Sequence, residues 1–229
     1  MRMNDFKLAA DWINAADAIL VTASNGLSIS EGYHIFANDE NFRKYFGFFA
    51  EKYGVDCLIR GVFTPMSTED HETYMQAVHQ YLIDDYNGSE VMEKLLKIVS
   101  VKPYFILTSN GDKHFQMNGF DENRIFEVEG NFDGLQENSP EWAEQRARFS
   151  KFIMDHKEES MLVLELGIGS RNRLIKAPTM ELVDFNKSWK FITMNMPNEI
   201  NVLESIEDRS IALTGDILGL FYKIVYTVA

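Results

Sequence analysis

A doubly wound parallel α/β sheet is predicted for this chain by three observations. The short runs "AILVTA", "YFILT", "LVLEL" and "FITMN" are mostly apolar, the composition of strands buried on both faces. Between them lie longer segments with apolar residues at helical spacing and cap residues at their starts. Strand-length and helix-length segments alternate, the order that builds a parallel sheet through crossover helices.

Each element follows from its own residues. "DFKLAADWINAADA" puts Phe6, Ala9, Ala10 and Ile13 on one face of a first helix, and "AILVTAS" follows as a buried strand. The small residues of "SNGLSISEGY" give way to the aromatic helix "FRKYFGFFAEKYG". A strand, a glycine-bearing turn and a helix start make a candidate phosphate cradle. "STEDHETYMQAVHQYLIDDY", capped by Ser67 or Thr68, and "SEVMEKLLKIVS", capped by Ser89, are two more helices. Together these segments form a helical insert over about residues 33–100. The strand "YFILTS" follows Pro103, and "RIFEVEG" at 124–130 is a further short strand. Pro140 sits just inside the start of the helix "PEWAEQRARFSKFIMDHK". "SMLVLELGIGS" and "WKFITMNM" are strands, and "RSIALTGDILGLFYKIVYTVA" holds a last strand and a closing helix that starts near Asp216. The 229 residues, 45% of them hydrophobic, suit one principal domain.

Composition excludes several functions. The 22 basic against 35 acidic residues leave a net charge of -13, which argues against binding a nucleic-acid backbone. No stretch approaches the roughly 18 apolar residues of a membrane span, and the N-terminus lacks the pattern of a secretory leader, so a cytoplasmic protein with no membrane partner is expected. Cys57 is the sole cysteine, which rules out an internal disulfide and a four-thiolate zinc site; a small buried hydrophobe is its expected role. His34, His71, His79, His114 and His156 show no ligand spacing and read as surface or packing residues. His114 stands apart because it lies two residues after Asp112.

The run "YFILTSNGD" delivers Thr108, Asn110 and Asp112 to the end of a strand, where ligands bind in open α/β sheets. Asn110 and Asp112 are equally suited to cap a helix beginning near Lys113. Gly167 and Gly169 suit either a ligand loop or an ordinary strand-to-helix turn, and Ser28 suits a helix cap.

The order of these segments resembles the sirtuin family. "VTASNGLSISEG" is similar to its Gly-Ala-Gly-x-x-Leu-Ser motif, keeping Ala23, Gly26, Leu27, Ser28 and Gly32, with Thr22 and Ser24 at glycine positions. "FILTSNGDKHFQMNGF" resembles the Thr-x-Asn-x-Asp segment, with Thr108, Asn110, Asp112 and Gly119 in place. "IFEVEGN" resembles the Glu-x-His-Gly stretch, with Glu129 where the histidine would be. "LVLELGIGS" is similar to the late glycine turn through Gly167, Gly169 and Ser170, and "ALTGDILGLFYKI" to the terminal Gly-Asp. Within the family, the segment from "HETYMQAVHQYL" to "IFEVEGN" is most like the bacterial branch encoded beside macrodomain proteins.

The resemblance implies a Rossmann-like domain that takes NAD and cleaves its nicotinamide bond. It places Ala23, Gly26, Ser28 and Gly32 at the phosphates, Asn110 on the nicotinamide ribose and Asp112 on the carboxamide. Gly167, Gly169, Ser170, Asn195 and Asp216 complete the implied cofactor-binding set. Glu129 then stands as base or charge stabiliser, or as a solvated side chain. The loop "GLQENSPEW" holds no thiol, so the family's structural zinc module is absent or degenerate over about residues 131–158, and no metal is expected. The branch implies transfer of ADP-ribose to a protein acceptor, with a lipoyl-carrier protein among the candidates. A binding module without turnover, an NAD hydrolase and a deacylase remain as alternatives.

Overall fold

A computed structural model describes residues 3–228 of the chain. Helix α1 (Met3–Ala15) buries Phe6, Ala9, Ala10 and Ile13 as its spacing predicts, and β1 (Ala18–Ala23) is buried along its whole length. Next come a short helix α2 (Asn25–Ser30) and the aromatic helix α3 (Glu40–Tyr53), the latter capped by the Asp39 side chain and stopped at Gly54 with φ 69°. Helices α4 (Leu58–Val62), α5 (Thr68–His79) and α6 (Glu90–Val99) follow. Ser67 and Ser89 cap α5 and α6 by accepting the backbone N–H three residues on, each at 3.2 Å. The second half of the chain supplies β2 (Tyr104–Thr108), the one-turn α7 (His114–Met117), β3 (Ile125–Glu127) and α8 (Pro140–Asp155). It closes with β4 (Met161–Leu166), α9 (Lys176–Phe185), β5 (Lys190–Asn195), β6 (Ser210–Thr214) and α10 (Ile217–Val228).

All six strands are parallel, in the order β3-β2-β1-β4-β5-β6, which is the doubly wound Rossmann-like arrangement expected. Alternation along β1 divides the core. Ile19, Val21 and Ala23 face a cluster built with α1, α6 and α10, whereas Ala18 and Leu20 face one built with α8 and α9. Burial on both faces explains why the inner strands read as mostly apolar runs. A third cluster, centred on Phe46, Phe49, Tyr74 and Leu82, holds α3, α4 and α5 together as a small helical unit of their own.

The structure departs from the sequence reading at three places. A separate short helix, α2, begins at once after β1, where the sequence reading has only a small-residue turn leading to the aromatic helix, and Gly26 and Ser28 lie within it. Helix α9 lies between the β4 and β5 runs, where the sequence reading places no helix; it carries Pro178 in its first turn, where a missing N–H breaks no intrahelical bond. Its start is capped from outside, by Asn172 Oδ1 accepting from the backbone of Leu174, Ile175 and Lys176. Cys57 is not the buried hydrophobe expected: it is half-buried at the entry to α4, where the chain must leave one helix and start another near the surface.

Candidate functional site

The strand order reverses between β1 and β4, and in open α/β sheets the crevice outside the strand ends at that point takes ligands. Here two loops cross in backbone contact. Gly26 N–H donates to the Gly167 carbonyl at 2.9 Å, and a Cβ on Gly26 would lie 2.5 Å from Gly167 Cα. Gly167 itself has φ 65°, so neither position tolerates a side chain.

Two cavities adjoin at this crossing and share Asn25 and Phe36. The larger, about 490 Å³, lies between the ends of β1, β2 and β3 and the helical unit; Ser28, Asn110, Asp112 and Glu129 line one side and Ile59 and Phe63 the other. The second, about 400 Å³, is lined by Ser24, Gly167, Gly169, Asn195, Glu199 and Asp216. Each volume falls within the range of small-molecule sites.

In the larger cavity the polar groups are wired in series. Ser28 Oγ donates to Asp112 Oδ2 at 2.7 Å, so its oxygen is left to accept from Asn110 Nδ2 at 2.9 Å. The same amide nitrogen reaches the Ser24 carbonyl at 3.3 Å, and the Asn110 backbone N–H donates to Thr108 Oγ1 at 3.0 Å. These bonds fix which end of the amide is which. Asn110 Oδ1 is thereby left buried with no partner, in a residue only 5% exposed. An orphaned buried acceptor costs about 1–3 kcal/mol, and in a cavity wall it is open to a donor from water or from a ligand. Asp112 Oδ1 accepts the His114 backbone N–H at 3.0 Å, so Asp112 is also tied to the first residue of α7.

Glu129 is exposed on the same wall, in the loop after β3. Surrounding protein, and then the charge of Glu137, push its carboxyl above the usual carboxylate range. The cavity is lined by Asp112, Glu129 and Glu137 and by no Lys, Arg or His among the described residues. It is therefore an anionic, aromatic-walled space.

In the second cavity Asn195 is used structurally, with Nδ2 donating to the Ile168 carbonyl at 2.7 Å and Oδ1 accepting Met196 N–H at 2.9 Å. Asp216 accepts from Ser30 Oγ at 2.7 Å and from Gly219 N–H at 3.0 Å, which caps α10. Glu199 Oε2 accepts the Ser170 backbone N–H at 2.7 Å, and that bond holds its carboxyl below the usual range.

The fold thus brings Ser28, Asn110, Asp112 and Glu129 to one cavity, and Gly26, Gly167, Gly169, Asn195 and Asp216 to the other. Ala23 lies in the core at the end of β1, and Gly32, with φ 96°, follows α2; neither lines a cavity. Ser170 meets the second cavity only through Glu199. Asn25, Phe36, Glu137 and Glu199 were not marked in the sequence. Asn25 directly follows the first strand, which is the one local signal among them; the others are brought in by tertiary contacts.

No family model matches the chain. Its fold is similar to a structure described as the basis for the mechanism and regulation of Sir2 enzymes, with a TM-score of 0.55 at 14% identity over 99% of this chain and 98% of that one. A mutant Sir2 homologue in complex with ADP-ribose gives a TM-score of 0.61 at 10% identity, covering 96% of each chain. The fold is therefore that of the Sir2 enzymes. In sequence the chain is 23% identical over 266 residues to a protein ADP-ribosyltransferase of Staphylococcus aureus, covering 91% of this chain and 83% of that protein. It is 28% identical over 132 residues to a probable bifunctional ADP-ribose hydrolase/ADP-ribosyltransferase of Fusarium oxysporum f. sp. cubense, covering 56% of this chain and 22% of that protein. The chain is thus sirtuin-like in fold and, over most of its length, similar in sequence to a protein ADP-ribosyltransferase. No helix among the described residues is long and apolar enough to cross a membrane.

Proposed function

We propose that the protein binds NAD across the two adjoining cavities and transfers ADP-ribose to a protein acceptor, releasing nicotinamide. The observation that carries this reading is Asn110 Oδ1, a buried acceptor with no partner in the wall of the larger cavity. A ribose hydroxyl is a donor of the kind it lacks. Gly26 and Gly167 also line the second cavity, and a wall without side chains there suits close approach of a pyrophosphate. The cationic nicotinamide ring suits a cavity lined by three carboxylates and no basic side chain.

Bound NAD supplies a nicotinamide leaving group on an anomeric carbon, whose substitution develops positive charge on the ribose. In this reading Asn110 orients the ribose, and Asp112, held by Ser28 and by the start of α7, accepts from the carboxamide. Glu129 takes the acceptor's proton, a role that its raised carboxyl pKa supports. The apolar residues of the helical unit limit water in the cavity, which favours a protein acceptor over hydrolysis.

The test is nicotinamide release from NAD with candidate acceptors, lipoyl-carrier protein among them. Wild-type protein is expected to release nicotinamide and label the acceptor, and Asn110→Ala to lose about a hundredfold in rate. No release with any acceptor, or an unchanged rate in Asn110→Ala, overturns the proposal. The exposed position of Glu129 favours a second reading, a module that binds NAD or ADP-ribose without turnover. Calorimetric binding with no nicotinamide formed would select it.

A further inference from the structure

Beneath the larger cavity lies a buried charge cluster that neither the core nor the proposed chemistry accounts for. His114, the first residue of α7, is fully buried, and its Nε2 lies 2.9 Å from the Leu82 carbonyl. A carbonyl only accepts, so Nε2 carries a proton. The other ring nitrogen, Nδ1, lies 3.1 Å from Glu31 Oε2 and 3.7 Å from Asp112 Oδ2. The Glu31 side chain is fully buried as well.

The hydrogen bonds that Glu31 receives favour its ionised form, and with it a charged ring. Its Oε1 receives the hydroxyls of Tyr86 and Ser89, each at 2.7 Å. Tyr86 oxygen in turn accepts from Asn118 Nδ2 at 2.6 Å, and the Ser28 hydroxyl is spent on Asp112 Oδ2. The hydroxyls of Tyr86, Ser89 and Ser28 are thus all committed, and none of the three bridges Nδ1 and Glu31 Oε2. A neutral imidazole would set a lone pair against a carboxylate and leave two buried carboxylates without counter-charge, an arrangement of high cost. Ring packing agrees: Tyr86 stacks on His114 with centroids 3.7 Å apart at 17°, and Tyr33 packs edge-on at 4.7 Å. An aromatic face favours a cation.

We infer that His114 is an imidazolium clamped between Glu31 and Asp112, and that it acts as a positioning residue that holds Asp112 at the cavity wall as a hydrogen-bond acceptor. That Asp112 then receives a ligand's amide rests on the proposed function; the charge state of the clamp does not. Burial opposes the charge, but Asp112 and Glu31 together outweigh it, so the ring's pKa is raised. The groups facing the ring are Glu31 at the end of α2, Tyr33 in the loop beyond it, the Leu82 carbonyl and Tyr86 after α5, and Asp112 in its own turn. Because the pKa is raised, the clamp is complete at low pH and is lost as pH rises through the raised value. The chain from Asp112 through Ser28 to Asn110 then loosens, and ligand affinity falls.

Nitrogen NMR of the ring in the full chain tests the charge directly. At pH 7.5 a free imidazole, with a pKa of about 6.5, is roughly nine-tenths neutral, whereas His114 is expected to carry protons on both nitrogens. Calorimetric titration with NAD from pH 6 to 9 is expected to show affinity falling along the same transition. Glu31→Gln is expected to move both midpoints to lower pH, and His114→Gln to weaken binding about tenfold at pH 7 and to flatten the profile. Should His114→Gln fail to fold, wild type and Glu31→Gln carry the test. A neutral ring at pH 7.5, or a profile that Glu31→Gln leaves in place, overturns the inference. So does stoichiometric zinc uptake by wild type that His114→Gln abolishes, because Glu31, Asp112 and His114 also lie close enough to share a cation. A doubly protonated ring in a protein that binds no NAD leaves the clamp standing and rejects the proposed function instead.

Discussion

Ser28 sets the polarity of the larger cavity with one hydroxyl. Its proton goes to Asp112 and its oxygen takes the Asn110 amide, so the free end of Asn110 is Oδ1. Ser28→Ala is expected to cost about 1–3 kcal/mol in urea denaturation, because two buried groups lose a partner at once. It should also weaken NAD binding in calorimetry while leaving the fold's circular dichroism intact. Glu129 makes a separate prediction. Its carboxyl is pushed up by its surroundings and by Glu137, so on the proposed function the base form, and with it nicotinamide release, is expected to be gained as pH rises through a value above the ordinary one of about 4.3. Removing the second charge in Glu137→Gln lowers that pKa, and the acid limb of the rate profile is expected to move to lower pH. A limb that stays in place would show that Glu129 is not the titrating base. Glu129→Ala should keep NAD affinity and lose about a hundredfold in rate.

Elements were legible where cause is local. Ser67, Ser89 and Pro140 mark helix starts that the structure keeps, and the apolar runs became the parallel strands, because caps and two-sided burial leave their signature in adjacent residues. The segment "TSNGD" was legible for the same reason: a polar run at a strand end has one place to go in this sheet. What stayed hidden is what distant segments do to one another. Glu31 meets His114 across 83 residues, Ser28 meets Asp112 across 84, and nothing near Phe36 signals that it borders both cavities. The turn after β4 has a hidden support of this kind. Lys176 and Glu165 are both fully buried and paired at 2.5 Å, Thr193 Oγ1 donates to the same carboxylate oxygen at 2.7 Å, and Asn195 holds the Ile168 carbonyl in that turn. Breaking a buried pair leaves an uncompensated charge, so Lys176→Met is expected to cost about 3–5 kcal/mol in denaturant unfolding. Adding Glu165→Gln should recover part of that loss, because it removes the stranded charge; a double variant no more stable than the single one would mean the pair matters through packing alone.

At the scale of the whole molecule, charge sets how a ligand arrives. The protein carries -13, and the larger cavity adds three carboxylates with no basic residue on its wall. NAD is itself a net anion, since its pyrophosphate outweighs the nicotinamide cation. On the proposed function its approach is opposed by the long-range field, and short-range contacts at the crossing and in the cavities would have to hold it. Salt separates the two contributions. The screening length is about 30 Å at 0.01 M and about 8 Å at 0.15 M, so raising salt over that range removes the opposing field and leaves contacts at hydrogen-bond distance nearly untouched. The association rate of NAD, measured by stopped flow, is therefore expected to rise with salt over this interval, with the dissociation rate changing little. Free nicotinamide is neutral and serves as the control, with binding independent of salt. A fall in NAD affinity over the same interval would mean that a local basic group dominates the pyrophosphate site, which is incompatible with a cavity lining that contains none.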